Sequence, residues 1–216
     1  MTAASAISAR PAEALAAELL GGICERLLAS TAELNALDRA IGDGDHGDNL
    51  ARAARRLLEV GDALAALPLP ELIARAGKEI VMSVGGASGP LYGTLLLEIG
   101  KALPTDPRTS DWAAAFIAGV EATARRGRSA EGDKTMIDVL APAARALGGR
   151  AAGRTEALHA MRDAARAAFE ASRPLRARRG RAAFVGERTI GADDPGAASS
   201  LLCISTIVEY LTETPE

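Results

Sequence analysis

Apolar side chains recur every three or four positions through almost every stretch of this chain, with polar and charged residues between them. Leu15, Leu19, Ile23 and Leu27 form the first stripe, and Leu72, Ile73, Ala76 and Ile80 form another. Phe116, Val120 and Ala124 follow, then Leu158, Met161, Ala165 and Phe169, and finally Leu201, Ile204, Val208 and Leu211. Such spacing puts each set on one face of a helix. Two-residue alternation is absent and alanine is abundant, so the pattern predicts an all-α protein. Glycine and proline clusters punctuate it at 42–47, 68–70, 85–90, 104–107, 127–132 and 148–153, with a longer interruption from about 177 to 195. Seven or eight helices result. Their short connections predict antiparallel up-and-down neighbours, and the long interruption, about 177–194, is long enough to be a functional lid.

Bulk properties narrow the function classes. A chain of 216 residues supports one ordinary domain, 1–216, with a sizeable core. Its 48% hydrophobic and 25% charged content and its net charge of -3 are those of a soluble globular protein. With only 3% aromatics and no basic excess, it lacks what nucleic-acid platforms use. Cys24 and Cys203 fit no metal spacing and lie in apolar helical patterns, which predicts buried free thiols and suits a reducing cytoplasm. No apolar run approaches membrane-spanning length, and the N-terminal residues lack the charged start and apolar core of an export signal.

The segment Leu37-Asp-Arg-Ala-Ile-Gly-Asp-Gly-Asp-His-Gly-Asp-Asn49 concentrates hard oxygen ligands. One glycine separates Asp43 from Asp45, so the backbone can turn both carboxylates toward one ion, while Asp38 arrives from the preceding helical end. Carboxylates without cysteine favour magnesium, calcium or manganese over zinc. An EF-hand is excluded because Gly47 and Ala54 stand where its pattern needs Asp or Asn and a closing Glu. A zinc protease is excluded as well: the other histidine, His159, belongs to no His-Glu-x-x-His.

Two further glycine-rich segments precede helices. Ser83-Val-Gly-Gly-Ala-Ser-Gly-Pro-Leu-Tyr-Gly93 offers backbone amides and a hydroxyl to a phosphate, although packing turns share its composition. Gly127-Arg-Ser-Ala-Glu-Gly-Asp-Lys-Thr-Met136 nearly spells a phosphate-binding P-loop, but Asp133 interrupts it and a helix, not a strand, precedes it. Asp133 is expected there as a helix N-cap, and the functional alternative is a helix start that closes on a nucleotide. The run Arg173, Arg176, Arg178, Arg179, Arg181 reads either as a solvated face or as a basic lid able to swing over phosphates. A carboxylate cluster, two glycine-rich helix starts and a basic lid together supply what magnesium-nucleotide binding requires.

These segments, with Gly180-Arg-Ala, Gly186-Glu-Arg-Thr-Ile-Gly191 and Asp194-Pro-Gly-Ala197, resemble in order and over almost the whole chain the nucleotide-binding L subunit of dihydroxyacetone kinase. The resemblance implies an eight-helix antiparallel up-and-down barrel with the nucleotide site at one end. It implies two Mg2+ ions held by Asp38, Asp43 and Asp45. It also implies ADP or ATP contacts at His46, Gly47, Asp48, Asn49, Ala87, Ser88, Gly127, Met136, Arg181, Asp194, Pro195 and Gly196. Arg181 is the expected catalytic residue. Gly44 and Asp48 vary within the metal loop, and Ala198 stands where a threonine is common. The implied partner is a dihydroxyacetone-binding K subunit, together with a phosphocarrier M subunit that rephosphorylates bound ADP. A docked transcription regulator and a homodimer are left open. Two rival readings stand beside this one: a kinase subunit for another small ketose or a fatty acid, and a nucleotide-loaded regulatory module without catalysis. Phosphoryl transfer in the presence of a K subunit separates them.

Overall fold

In the computed structural model, which describes residues 11–213, ten α-helices and two short 3-10 turns account for all regular structure among the described residues. We number them α1 (Ala12–Ala29), α2 (Thr31–Ile41), α3 (His46–Glu59), α4 (Gly61–Ala65), α5 (Leu69–Ser83), α6 (Ser88–Ala102), α7 (Thr109–Gly127), α8 (Ile137–Leu147), α9 (Arg154–Ser172) and α10 (Pro195–Glu213). The helix breaks fall on the glycine and proline clusters. Two additional breaks, at Ser30 and Val60, split off α2 and the five-residue α4.

Eight of the helices close a ring in the order α1, α3, α5, α6, α7, α8, α9, α10, each packed on the next and α10 packed back on α1. Neighbours run antiparallel. Gly77 of α5 faces Gly93 and Leu97 of α6, while Gly100 near the end of α6 faces Pro70 and Ala74 near the start of α5. A Cβ on any of these three glycines would overlap the facing helix, so they set how closely α5 and α6 approach. The barrel fold is therefore as expected, with α2 and α4 as connecting helices outside the ring.

Apolar side chains fill the interior as two clusters. One joins α6 to α10 around Leu95, Val120, Met136, Val139, Leu140, Met161 and Ile204. The other joins α1 to α5 around Cys24, Leu34, Leu50, Leu57, Leu64, Leu72 and Ile80. Ile73 and Tyr92 pack against both. Cys24 and Cys203 are free thiols, Cys24 buried as expected and Cys203 only half-buried, and desolvation pushes both up to about 12. Among the described residues no helix is long and apolar enough to cross a membrane.

Alternation around the ring gathers the starts of α3, α6, α8 and α10 and the ends of α7 and α9 at one end of the barrel. The glycine-rich loops and the segment between α9 and α10, which is the expected lid, lie there, between those helix ends.

Candidate nucleotide and metal site

α2 ends at Ile41, and the loop 42–45 returns the chain into α3. Asp38, in the last turn of α2, accepts the Asp45 N–H at 2.8 Å and the His46 N–H at 3.2 Å on Oδ2, which caps the start of α3. A Cβ at Gly42 would overlap Asp38 Oδ1, so glycine is needed there for that oxygen to keep its place. Asp45 accepts a hydrogen bond from Asn49 Nδ2 at 2.7 Å, one turn into α3, and Asn49 Oδ1 in turn accepts from Arg52. Asp43 meets Arg181 of the lid, Nε to Oδ2, at 3.0 Å. Asp38, Asp43 and Asp45 each place one carboxylate oxygen within 4.8 Å of the others'. An all-carboxylate donor set of that size fits a hard divalent cation.

A cavity of about 360 Å3 opens beside this cluster. Its wall is built by the first turns of α3 (His46, Asn49), α6 (Ser88, Pro90, Leu91), α8 (Ile137) and α10 (Pro195, Gly196), with Ala87, Met136 and Asp194 just before them. Thr123, Arg126 and Gly127 from the last turns of α7 and Arg179, Gly180 and Arg181 from the lid complete it. Four helix N-termini facing one space make it favourable for anions. Every expected metal and nucleotide residue lies on this wall except Gly47 and Asp48. Gly47 instead presses on α2, where a Cβ would overlap the Thr31 carbonyl, and the Asp48 N–H binds Asn35 Oδ1 at 3.1 Å. Both therefore brace α3 against α2, away from the cavity.

His46 is buried with both ring nitrogens engaged, Nε2 with Ser199 Oγ at 2.9 Å and Nδ1 with Ser88 Oγ at 3.2 Å. The Ser199 hydroxyl donates to the Pro195 carbonyl at 2.9 Å, so Nε2 carries the ring proton and Nδ1 accepts from Ser88. Burial lowers the ring to about 4, although Asp38 opposes it, and the imidazole is neutral near pH 7. Tyr92 extends the network, its hydroxyl lying 2.7 Å from Ser199 Oγ and 3.0 Å from Ser200 Oγ. Tyr92 lay in a segment already singled out without being given a role, and Ser199 and Ser200 were missed because polar residues buried inside an apolar stripe carry no signature of their own.

Asp194 accepts the Ala197 N–H at 2.7 Å and so caps α10. Burial raises its carboxyl to about 7, against the lowering effect of that backbone hydrogen bond.

The loop between α7 and α8 departs from expectation. Asp133 does not cap α8: its Oδ2 accepts the Ala130 N–H at 3.0 Å and Arg179 Nε at 3.1 Å. Asp138 organises the turn instead, accepting the Gly132 N–H at 2.6 Å and the Thr135 N–H at 2.7 Å. Local sequence favoured the aspartate nearest the glycine, whereas α8 starts only at Ile137, too far along for Asp133 to reach its free amides. Lys134 is fully buried and points away from the cavity wall. In the lid, 3-10 turns at Arg181–Phe184 and Gly186–Thr189 follow Gly180. Arg173 pairs with Asp193 at 2.7 Å.

The chain matches the DAK2 domain over residues 40–209. It is 40% identical to PEP-dependent dihydroxyacetone kinase 1, ADP-binding subunit, of Listeria innocua, over 86% of this chain and 90% of that protein. Its fold is similar to the crystal structure of the native dihydroxyacetone kinase of C. freundii, with a TM-score of 0.73 and 29% identity, covering 97% of this chain and 38% of that one. The same C. freundii kinase in complex with AMP-PNP and Mg2+ matches with a TM-score of 0.72 and 28% identity, over 96% of this chain and 36% of that one. The chain thus spans under two fifths of the length of the C. freundii enzyme.

Proposed function

The chain belongs to the DAK2 domain family, and from that membership together with its site we propose that it binds ADP and ATP as magnesium complexes and serves as the nucleotide-binding subunit of a dihydroxyacetone kinase. The observation that carries this reading is the carboxylate cluster Asp38, Asp43 and Asp45, set beside four helix N-termini in one cavity under an arginine-bearing lid. Magnesium, two ions in this reading, would be held by these aspartates and would supply charge neutralisation at the phosphates. The backbone amides of Ser88 and Gly89 at the start of α6 donate to phosphate oxygens, while Asp194 holds the first amides of α10 and shapes the floor of the cavity. Gly127 and Met136 flank the nucleoside, and Asn49 keeps Asp45 in orientation.

Arg181 is the catalytic residue in this reading. Its guanidinium stands at the mouth of the cavity beside Asp43, where it stabilises the charge that develops on the transferring phosphoryl group. His46 is not a phosphate carrier, since both its ring nitrogens are already hydrogen-bonded. The phosphoryl group therefore passes directly to dihydroxyacetone held on a separate K subunit, in the cytoplasm, and a phosphocarrier M subunit recharges the retained ADP.

A single-turnover experiment with radiolabelled ATP tests the whole reading. The lone chain should leave dihydroxyacetone unphosphorylated, and adding a K subunit should switch transfer on. Sugar phosphorylation without the K subunit, or acid-labile label on His46, overturns it.

A further inference from the structure

The near-P-loop segment contains a lysine that the proposed chemistry does not use. Lys134 is completely buried, and its ammonium donates to three backbone carbonyls: Arg173 at 2.7 Å, Leu175 at 3.0 Å and Ser172 at 3.4 Å. These lie at and just beyond the C-terminus of α9, where carbonyls lack helical partners. With three protons given to three acceptors, no donor is left for a phosphate. The backbone of Lys134 is left-handed, φ 59°, which is uncommon for a residue with a Cβ and turns the side chain under α9.

Both ends of the lid converge on this lysine. The Arg173 carbonyl that receives Nζ also receives the Gly191 N–H at 2.9 Å. Residues 174–190 thus form a loop whose ends meet at one point. Asp133 adds a second tether: its carbonyl accepts the Arg178 N–H at 3.0 Å and its carboxylate accepts Arg179 Nε at 3.1 Å. Gly180, at φ 64°, then turns the chain so that Arg181 reaches Asp43.

We propose that Lys134 is a positioning residue that pins the two ends of the lid to the base of α8 and so holds Arg181 over the phosphates. This rests on the proposed function, because the role of Arg181 does. Lys134→Met keeps the aliphatic stem and removes the clamp. In the complex with K subunit it should lower kcat by about tenfold while the Kd for Mg-ADP shifts by less than about threefold. In an Arg181→Ala background it should cause no further loss, because its effect passes through that guanidinium. Trypsin should also cut the Mg-ADP-loaded variant at Arg178 and Arg179 about tenfold faster than the wild type.

A full additional loss on top of Arg181→Ala overturns the proposal, as does a collapse of ADP affinity, which would make Lys134 a phosphate ligand. If circular dichroism shows that Lys134→Met does not fold, Arg179→Met decides. That residue is half exposed, and its substitution removes the side-chain half of the Asp133 tether while the bond from the Arg178 N–H stays. A rate loss that disappears in the Arg181→Ala background supports the clamp, and an unchanged or independently additive rate overturns it. Failure of the wild-type pair to transfer phosphate would sink the functional reading instead, and the trypsin comparison would then judge the clamp alone.

Discussion

Two glycine-rich loops at the same end of the barrel look alike as strings and differ as chemistry. Around residues 42–45, Asp38, Asp43 and Asp45 each accept one or two hydrogen bonds or ion-pair contacts, and one oxygen of each lies within 4.8 Å of the others'. In residues 131–138 the charged groups are engaged within the protein, Glu131 with Arg145 among them. Asp133 holds Ala130 and Arg179, Asp138 holds Gly132 and Thr135, and Lys134 holds the end of α9. Carboxylates that converge on one point can bind an ion, whereas charges each engaged by a separate partner can only shape what lies beside them. Composition does not separate them, but counting partners for each polar atom does.

The largest effect should come from emptying the first loop. Asp45→Asn keeps the shape of the side chain and removes a charge from the cluster, so Mg-dependent ADP affinity should fall by about 100-fold, near 3 kcal/mol. The melting temperature without ligand should barely move. Calorimetric titration with ADP, with and without magnesium, measures this, and an unchanged affinity in magnesium would erase the distinction between the loops.

The second loop should show the inverse. Asp138→Ala strands two N–H groups, at Gly132 and Thr135, and should destabilise the fold by about 2–3 kcal/mol, lowering the melting temperature by about 5–10 °C. Its loss of Mg-ADP affinity should be smaller than that of Asp45→Asn. A thermal melt unchanged from wild type would mean that this loop, too, holds its charge in reserve.

A third test sits between the two loops, at Asp194. Burial raises this carboxyl from its usual value near 4 to about 7, so between those limits the folded chain holds a proton that the unfolded chain has released. Stability from the protonated group is complete below the unfolded value and is lost as pH rises toward 7. Asp194→Asn stays neutral throughout and keeps an oxygen for the Ala197 N–H. The stability of the variant relative to wild type should therefore rise from pH 5 to pH 7, by on the order of 1 kcal/mol per pH unit, and level off above, with the melting temperature following it. A gap that does not change with pH would show that the carboxylate is ionised and stabilised by the start of α10.

The helical frame was legible because stripes such as Leu158, Met161, Ala165 and Phe169 depend on local periodicity alone, and glycine and proline mark most of the breaks. The break at Ser30 was not, because α1 and α2 read as one continuous amphipathic run. Among site residues, Asp38, Asp43 and Asp45 stood out by ligand chemistry within one short segment, and the structure brings them together. Gly47 shares that segment but packs on α2, and the Asp48 N–H goes to Asn35 of α2, which depends on a helix orientation that no spacing rule supplies. The actual roles of Asp133 and Lys134 were hidden for a related reason: their partners, Arg179 and the carbonyls of residues 172–175, lie about forty residues away in the chain.

The smallest effect on the fold should come from the contact that joins the first loop to the lid. The Arg181–Asp43 pair is largely exposed on the arginine side, 72%, and exposed ion pairs contribute at most about 1 kcal/mol after screening and side-chain ordering. Arg181→Ala should accordingly shift the melting temperature by no more than about 2 °C. Its effect on magnesium alone has the opposite sign from that of Asp45→Asn. A guanidinium on Asp43 Oδ2 competes with a cation for the same carboxylate, so removing it should leave the affinity for free Mg2+ unchanged or raise it by up to about fivefold. Phosphoryl transfer to the K subunit should nonetheless slow far more than ADP binding weakens, since the guanidinium acts on charge that appears only as the phosphoryl group moves. Calorimetry with Mg2+ alone, set beside single-turnover rates, separates these effects. Weaker magnesium binding in the variant would mean that Arg181 props Asp43 in its ligating position and does not compete for it. In that case the lid would belong to the metal site itself, and the convergence of Asp38, Asp43 and Asp45 would depend on lid closure.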